Sequence, residues 1–223
     1  MKKVVLLAVT VLLYIGVNAQ IVSSRSVGVK SAKRTSETLN YWRVGLNMMK
    51  FAGDNEDDWK SKAGYTVTYG FMKPMGNFGM YWGMEFGLGS RGAKNEFDGG
   101  EVTQIAHNVQ YSPFNLGYRY GISNALKIDV HVGAYASFDY AGKIKIDNAE
   151  DEDKFNIGEW NDDWDDGGLG MDWRRYDVGL NAGFGIWYNN FNLDFNFQRG
   201  FIEAEKDGEY YTSNFMIRLG MAF

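Results

Sequence analysis

The sequence predicts an all-β chain: an eight-stranded antiparallel up-and-down transmembrane barrel with long outer loops and short periplasmic turns. Three observations carry this. Apolar residues recur at period two in eight successive segments, the pattern of a strand with one apolar and one small or polar face. The connections alternate long and short along the whole chain, as outer loops and periplasmic turns do in bacterial barrels. The start of the chain has the form of a secretory leader. Met1-Lys2-Lys3 is basic, residues 4–17 are apolar, and Val17-Asn18-Ala19 is a small-residue cleavage site. The apolar run falls short of the ~20 residues a spanning helix needs. The expected organisation is a signal peptide at 1–19, a polar periplasmic segment at 20–39 and the barrel at 40–223, in a bacterium with two membranes.

Composition narrows the function. The chain has 223 residues and a net charge of -5, and without Lys2 and Lys3 it keeps 21 basic against 28 acidic residues. That disfavours nucleic acid as a partner. Cysteine is absent, which excludes disulfides, thiolate metal sites and a cysteine nucleophile. Two Pro, 28 Gly and 16% aromatic residues suit long strands with aromatic faces around a crowded interior. Mean hydropathy is only -0.36, so apolar residues meant for lipid must be hidden in alternation.

Each segment has its own support. In the first, Trp42, Val44, Leu46 and Met48 share one face and Arg43, Gly45 and Asn47 the other, before a polar stretch at 53–58. In the second, Tyr65, Val67, Tyr69 and Phe71 alternate with Thr66, Thr68 and Gly70, and a turn follows at 73–77. The third sets Phe78, Met80, Trp82, Met84, Phe86 and Leu88 against Gly79, Tyr81, Gly83, Glu85, Gly87 and Gly89. A polar loop is expected from Ser90 to about Glu101. The fourth holds Ile105, Val109 and Tyr111 on odd positions but Phe114, Leu116, Tyr118 and Tyr120 on even ones. That flip at Ser112-Pro113 predicts a bulge, where proline is tolerated.

After a tight turn at 121–124, the fifth segment alternates from Leu126 to Tyr140, with Lys127, Asp129, His131, Gly133, Tyr135 and Ser137 on its polar face. A long acidic insertion is expected from about Gly142 to Asp172. The sixth sets Tyr176, Val178, Leu180, Ala182, Phe184 and Ile186 against Asp177, Gly179, Asn181, Gly183 and Gly185. A turn at 188–190 leads to the seventh, Phe191, Leu193, Phe195 and Phe197 against Asn192, Asp194, Asn196 and Gln198. The eighth sets Phe215, Ile217, Leu219, Met221 and Phe223 against Met216, Arg218, Gly220 and Ala222. A soluble sandwich or lipocalin-like barrel also alternates, but its apolar face lines a core. Here the opposite face is rich in Gly beside Tyr81, Glu85, Tyr135 and Arg218, as a narrow lumen requires.

The Ala19-Gln20 junction, the stretch Tyr111-Ser112-Pro113-Phe114-Asn115-Leu116-Gly117-Tyr118-Arg119-Tyr120 and the ending Leu219-Gly220-Met221-Ala222-Phe223 carry a resemblance. The chain resembles the small eight-stranded outer-membrane barrels of the OmpX and OmpA transmembrane type. It is more closely similar to the outer-membrane β-barrel domain proteins common in Bacteroidetes. Ser112 departs from the apolar residue usual before that proline. The resemblance covers 40–223 and implies the outer membrane, lipopolysaccharide and membrane lipid as surroundings, and the barrel-assembly machinery as reader of the last strand. It implies no specific activity, no cofactor, and a monomer.

Four sets of residues are candidates for function. Charges on the lumen face include Arg43, Glu85, Arg119, Lys127, Asp129, Asp177, Asp194 and Arg218, and charges in a closed interior need partners. The expectation is a filled lumen in which Arg43, Arg119 and Arg218 pair with Asp129 and Asp194; the alternative is a narrow solute or ion channel. From Asp147 to Asp172 the only base is Lys154. Such carboxylates suit Ca²⁺ or Mg²⁺, yet regular EF-hand spacing is absent, and no metal is assigned. Within that stretch Trp160, Asp162, Asp163, Trp164, Asp165 and Asp166 interleave aromatics with acids, which suits contact with a surface ligand or glycan. A lipid-A-modifying enzyme would need a compact nucleophile and base. Ser90, His107 and Glu101 are the nearest approach to one, and His107 falls on the lipid phase, so no enzyme is expected. Aromatic girdles are expected from Tyr118, Tyr120, Trp187, Tyr188, Phe191 and Phe223 at the periplasmic ends. Tyr140, Trp173, Tyr176, Tyr210 and Tyr211 are expected at the outer ends.

Overall fold

The alternation read above is what the backbone adopts. The computed structural model describes residues 38–53, 59–76, 78–97, 100–148, 152–156, 173–205 and 209–223. The segment expected to be a leader and the loop candidates Trp160, Asp162, Asp163, Trp164, Asp165 and Asp166 lie outside them. Among the described residues there are ten strands: β1 (Leu39–Gly53), β2 (Trp59–Lys60), β3 (Lys62–Pro74), β4 (Met80–Phe97), β5 (Gly100–Gly121), β6 (Leu126–Asn148), β7 (Glu152–Asn156), β8 (Tyr176–Tyr188), β9 (Phe191–Glu203) and β10 (Tyr210–Ala222). Eight are long and pair antiparallel in the order β4-β3-β1-β10-β9-β8-β6-β5, and β5 pairs back to β4. The eight long strands therefore form a closed barrel, with β2 and β7 attached to β4 and β6. Closure runs through β1 and β10, from Tyr41 opposite Ala222 to Gly53 opposite Tyr210. β3, β8, β9 and β10 have thirteen residues each, and at ~3.3 Å per residue with a tilt of ~45° they rise ~30 Å, the depth of a bilayer's hydrocarbon core.

The two faces separate as the period demands. Leu46 and Leu219 are each 64% exposed on the outside, while Arg43, Asn47 and Arg218 between such positions are buried inside. The predicted bulge lies in β5. Tyr111 faces Ala136 and Phe114 faces Ala134, so β5 spends three residues where β6 spends two, with a matching shift against β4. Pro113, which has no N–H to give, takes the unpaired place. At one end the strands join through short turns. Asn189 reverses the chain at φ 52°, a left-handed conformation that Asn accepts at little cost. Ser123 Oγ accepts from the N–H of Leu126 at 3.0 Å in the next turn along.

The opposite end differs from expectation. The loop expected at Ser90–Glu101 is a hairpin, because β4 continues to Phe97 and β5 begins at Gly100. The insertion expected from Gly142 begins only after β6 has run to Asn148, and β7 pairs with that extension. Two causes hid these strands. A second bulge gives β6 an extra residue near Tyr140, since His107 faces Ala141 but Asn108 faces Asp139, and this flips the phase. Beyond it the outer face meets water, so charged pairs replace the apolar signal. Lys60 bonds Glu96, Lys94 lies 2.8 Å from Glu96 and 3.1 Å from Glu101, and Lys145 lies 3.0 Å from Asp147. Hydrogen bonds from Lys60 and Lys94 hold the Glu96 carboxyl down at about 2, and Glu96 and Glu101 raise Lys94.

Glycines on the inner face stand where large inward side chains cross. A Cβ on Gly117 would lie 2.2 Å from Tyr81 Cζ, and one on Gly183 would lie 2.3 Å from His131 Nε2. Gly117→Ala is expected to cost ~1–3 kcal/mol through overpacking. In a Tyr81→Ala background that penalty should vanish. Urea unfolding of the four proteins in lipid vesicles measures the coupling, and equal penalties in both backgrounds would show the contact to be unimportant.

Candidate functional site

The inward side chains of the eight strands stack in layers along the lumen. At the short-turn end lies an aromatic floor of Tyr41, Met72, Tyr81, Trp187 and Ala222, with Leu39 against it. Tyr41 meets Trp187 edge to face, with centroids 6.2 Å apart. Trp187 was expected in the girdle but points inward, because it shares the phase of Gly183 and Gly185. Its indole N–H donates to Asp129.

Directly above sits an ionic layer that joins six of the eight predicted lumen charges, Arg43, Glu85, Arg119, Asp129, Asp194 and Arg218; Asp177 lies higher and Lys127 nearer the short-turn mouth. Glu85 is its hub. Arg43 reaches Glu85 at 2.5 Å, Arg218 reaches it at 3.0 Å, and Tyr41 donates its hydroxyl at 2.7 Å. Arg218 also grips Asp194 at 2.6 Å, with Arg43 3.7 Å from the same carboxylate. Arg119 is 3.9 Å from Asp129. The expected pairing of Arg43 with an aspartate is thus secondary to its contact with Glu85. His131 joins as well, with Nδ1 3.1 Å from Asp129 and Nε2 3.1 Å from Asn196 Nδ2. The three arginines face three carboxylates, so their formal charges cancel. Asp194 has no exposed surface, and partners on every side are what make such burial tolerable.

A belt of amides and hydroxyls separates this layer from a second one. Asn47, Asn181, Asn196, Gln198 and Asn214 are buried there. Of the second layer the sequence predicts only Asp177 and Tyr135 on the lumen face, without Arg91 or Asp139. Arg91 binds Asp139 at 2.6 Å and lies 3.9 Å from Asp177, to which Tyr135 donates at 2.9 Å. The signal was present: Arg91 continues the odd-numbered inward phase of Glu85, Gly87 and Gly89, and Asp139 that of Tyr135 and Ser137. Above it, Phe51, Trp59, Ala93, Ala106, Ile144, Trp173, Ala204 and Tyr210 form an apolar roof. Phe51 stands 5.0 Å from Trp59 and 4.9 Å from Tyr210 between ring centroids. Trp173 and Tyr210 therefore leave the predicted girdle for the mouth. Trp173 donates to Asp139 at 2.7 Å and lies over the Arg91 guanidinium at 5.0 Å.

The outward rim carries the histidine candidate. Ser90 and His107 are direct cross-strand partners. The Ser90 hydroxyl accepts from the Tyr65 N–H at 3.0 Å, while His107 Nδ1 meets the Tyr65 hydroxyl at 3.3 Å. Glu101 accepts from Thr103 at 2.8 Å, away from both. With Tyr140, these rings form a row on the outer surface that runs from β3 over β4 to β5 and β6. Among the described residues no three His, Cys, Asp or Glu side chains converge for a metal ion.

The sequence profile of a family described as outer membrane protein β-barrel domain matches residues 13–204. No curated relative matches the chain. Among solved structures, the chain is similar to Ail, the attachment invasion locus protein of Yersinia pestis, solved in complex with the heparin analogue sucrose octasulfate. Identity is 17%, coverage 84% of this chain and 99% of that one, and TM-score 0.41. Neisserial surface protein A matches at 11% identity, 82% and 97% coverage and TM-score 0.42. The N-terminal β-barrel domain of Pseudomonas aeruginosa OprF matches at 10% identity, 84% and 100% coverage and TM-score 0.34.

Proposed function

The chain belongs to the outer membrane protein β-barrel domain family and resides in the outer membrane, and from that premise we propose that it acts at the cell surface with its lumen filled by side chains. The layered lumen carries this reading. Two ionic layers lie between an aromatic floor and an apolar roof, and desolvated charge pairs of this kind resist separation by a passing solute. The face left for function is the outer one, where long connections emerge in barrels of this class. The acidic, tryptophan-bearing stretch at 157–172 is the binding element, and its role is structural or ligand-binding rather than catalytic. Its charge favours a cationic partner or a neutral glycan over a polyanion. The leader at 1–19 is removed on export.

Planar-bilayer recording of the purified protein is expected to give no porin-sized openings, and regular large openings would overturn the filled lumen. Replacing residues 160–166 with Gly and Ser should leave the barrel heat-modifiable on gels while weakening capture of the surface ligand about tenfold or more, as loss of aromatic anchors does. Unchanged lipid A in mass spectra from a deletion strain separates this reading from an acyl-modifying enzyme.

A further inference from the structure

The short-turn mouth, which opens to the periplasm in this class, contains a cavity of about 260 Å³ just outside the aromatic floor. Arg119, Lys127, Trp187, Asn189 and Asn190 are among the residues lining it. We propose that it binds a small oxyanion, a carboxylate or a phosphate, between Arg119 and Lys127. The proposal is independent of any role of the outer loops.

The two cations come from one hairpin. Arg119 on β5 faces Asp129 on β6, and Lys127 lies one inward position nearer the mouth, between Gly121 on β5 and Trp187 on β8. Of the three lumen arginines beside the floor, Arg119 is the least neutralised. Arg43 and Arg218 have carboxylate contacts of 2.5 and 2.6 Å, whereas Asp129 is 3.9 Å from Arg119. Asp129 is moreover engaged by Trp187, by Tyr81 at 3.2 Å and by His131 at 3.1 Å. The Arg119 guanidinium is fixed in place by ring faces, 4.5 Å from Trp187 and 5.3 Å from Tyr81, so little ordering remains when an anion arrives. The turn residues Asn189 and Asn190 add polar groups to the wall. At ~30 Å³ per water, the space takes one small anion with a few waters and excludes a polymer chain.

The test is calorimetric titration of the full folded protein in detergent micelles with inorganic phosphate, and separately with acetate, at fixed ionic strength. Saturable 1:1 binding of at least one is expected, and which one saturates assigns the oxyanion. Affinity should fall about tenfold or more in Arg119→Gln and in Lys127→Gln, the loss of one charge-assisted hydrogen bond. Lys94→Gln, at the opposite end of the barrel, should leave it unchanged. Lys127→Gln alters a half-buried side chain outside the ionic layer, so it stays heat-modifiable on gels and serves even where Arg119→Gln does not fold. The proposal is overturned if neither anion saturates, or if binding persists at full affinity in Lys127→Gln.

Discussion

Deletion of Pro113 is expected to leave a folded barrel, whereas deletion of Phe195 is expected to abolish one. The two residues sit in long strands and face outward, yet their removal has opposite consequences. Around Pro113 the strand already holds one residue too many. Pro113 and Phe114 both face out, between Ser112 and Asn115 facing in. Removing the proline joins Ser112 to Phe114 in regular alternation, and both neighbouring ladders can pair without a shift. β9 has no such surplus. Its inward residues Asn192, Asp194, Asn196 and Gln198 alternate with outward Leu193, Phe195 and Phe197. Without Phe195, Asp194 and Asn196 become neighbours on opposite faces. One half of the strand must then present its polar row to lipid and its aromatic row to the lumen. An acid in the hydrocarbon region costs ~2.5–3.5 kcal/mol, and here a second polar group accompanies it while Arg218 loses one of its two carboxylates. Heat-modifiable gel migration after refolding in lipid distinguishes the outcomes. A folded Phe195 deletion would show that face assignment does not govern this barrel.

Glu85→Ala is expected to destabilise the barrel by ~3–5 kcal/mol, because it leaves two buried guanidinium groups to share one carboxylate. The magnitude follows from geometry. Glu85 takes Arg43 at 2.5 Å and Arg218 at 3.0 Å, and it also accepts from Tyr41. Asp194 is the remaining carboxylate near both arginines, and its contact with Arg43 is long at 3.7 Å. Water cannot take over easily, since Tyr41 and Trp187 cover the layer from the short-turn side. Tyr41→Phe removes one hydrogen bond and no charge, and should cost only ~0.5–1.5 kcal/mol. Glu96→Ala, which breaks an exposed ion cluster beyond the membrane, should leave the unfolding midpoint unchanged. Urea unfolding in phospholipid vesicles ranks the three. Equal midpoints for Glu85→Ala and the parent chain would show that the layer is solvated and dispensable.

The sequence by itself determined which side chains face lipid and which face the lumen. That property is local: successive Cβ atoms of a strand point to opposite faces, so Leu46 against Asn47, or Leu219 against Arg218, needs no knowledge of the rest of the chain. It reached even the bulge at Pro113, where the phase changes within three residues. It misplaced Trp173, Trp187 and Tyr210, because aromatics serve lipid girdles, lumen floors and lumen roofs alike, and composition does not tell these apart. It also stopped β4 and β6 too early, since past the membrane the outward face is charged and the apolar period disappears. Only the tertiary structure decided who meets whom. Glu85 lies 42 residues from Arg43 and 133 from Arg218, and the three converge because the stagger of eight tilted strands sets their common height in the lumen. Stagger belongs to the closed ring as a whole, and no single strand encodes it.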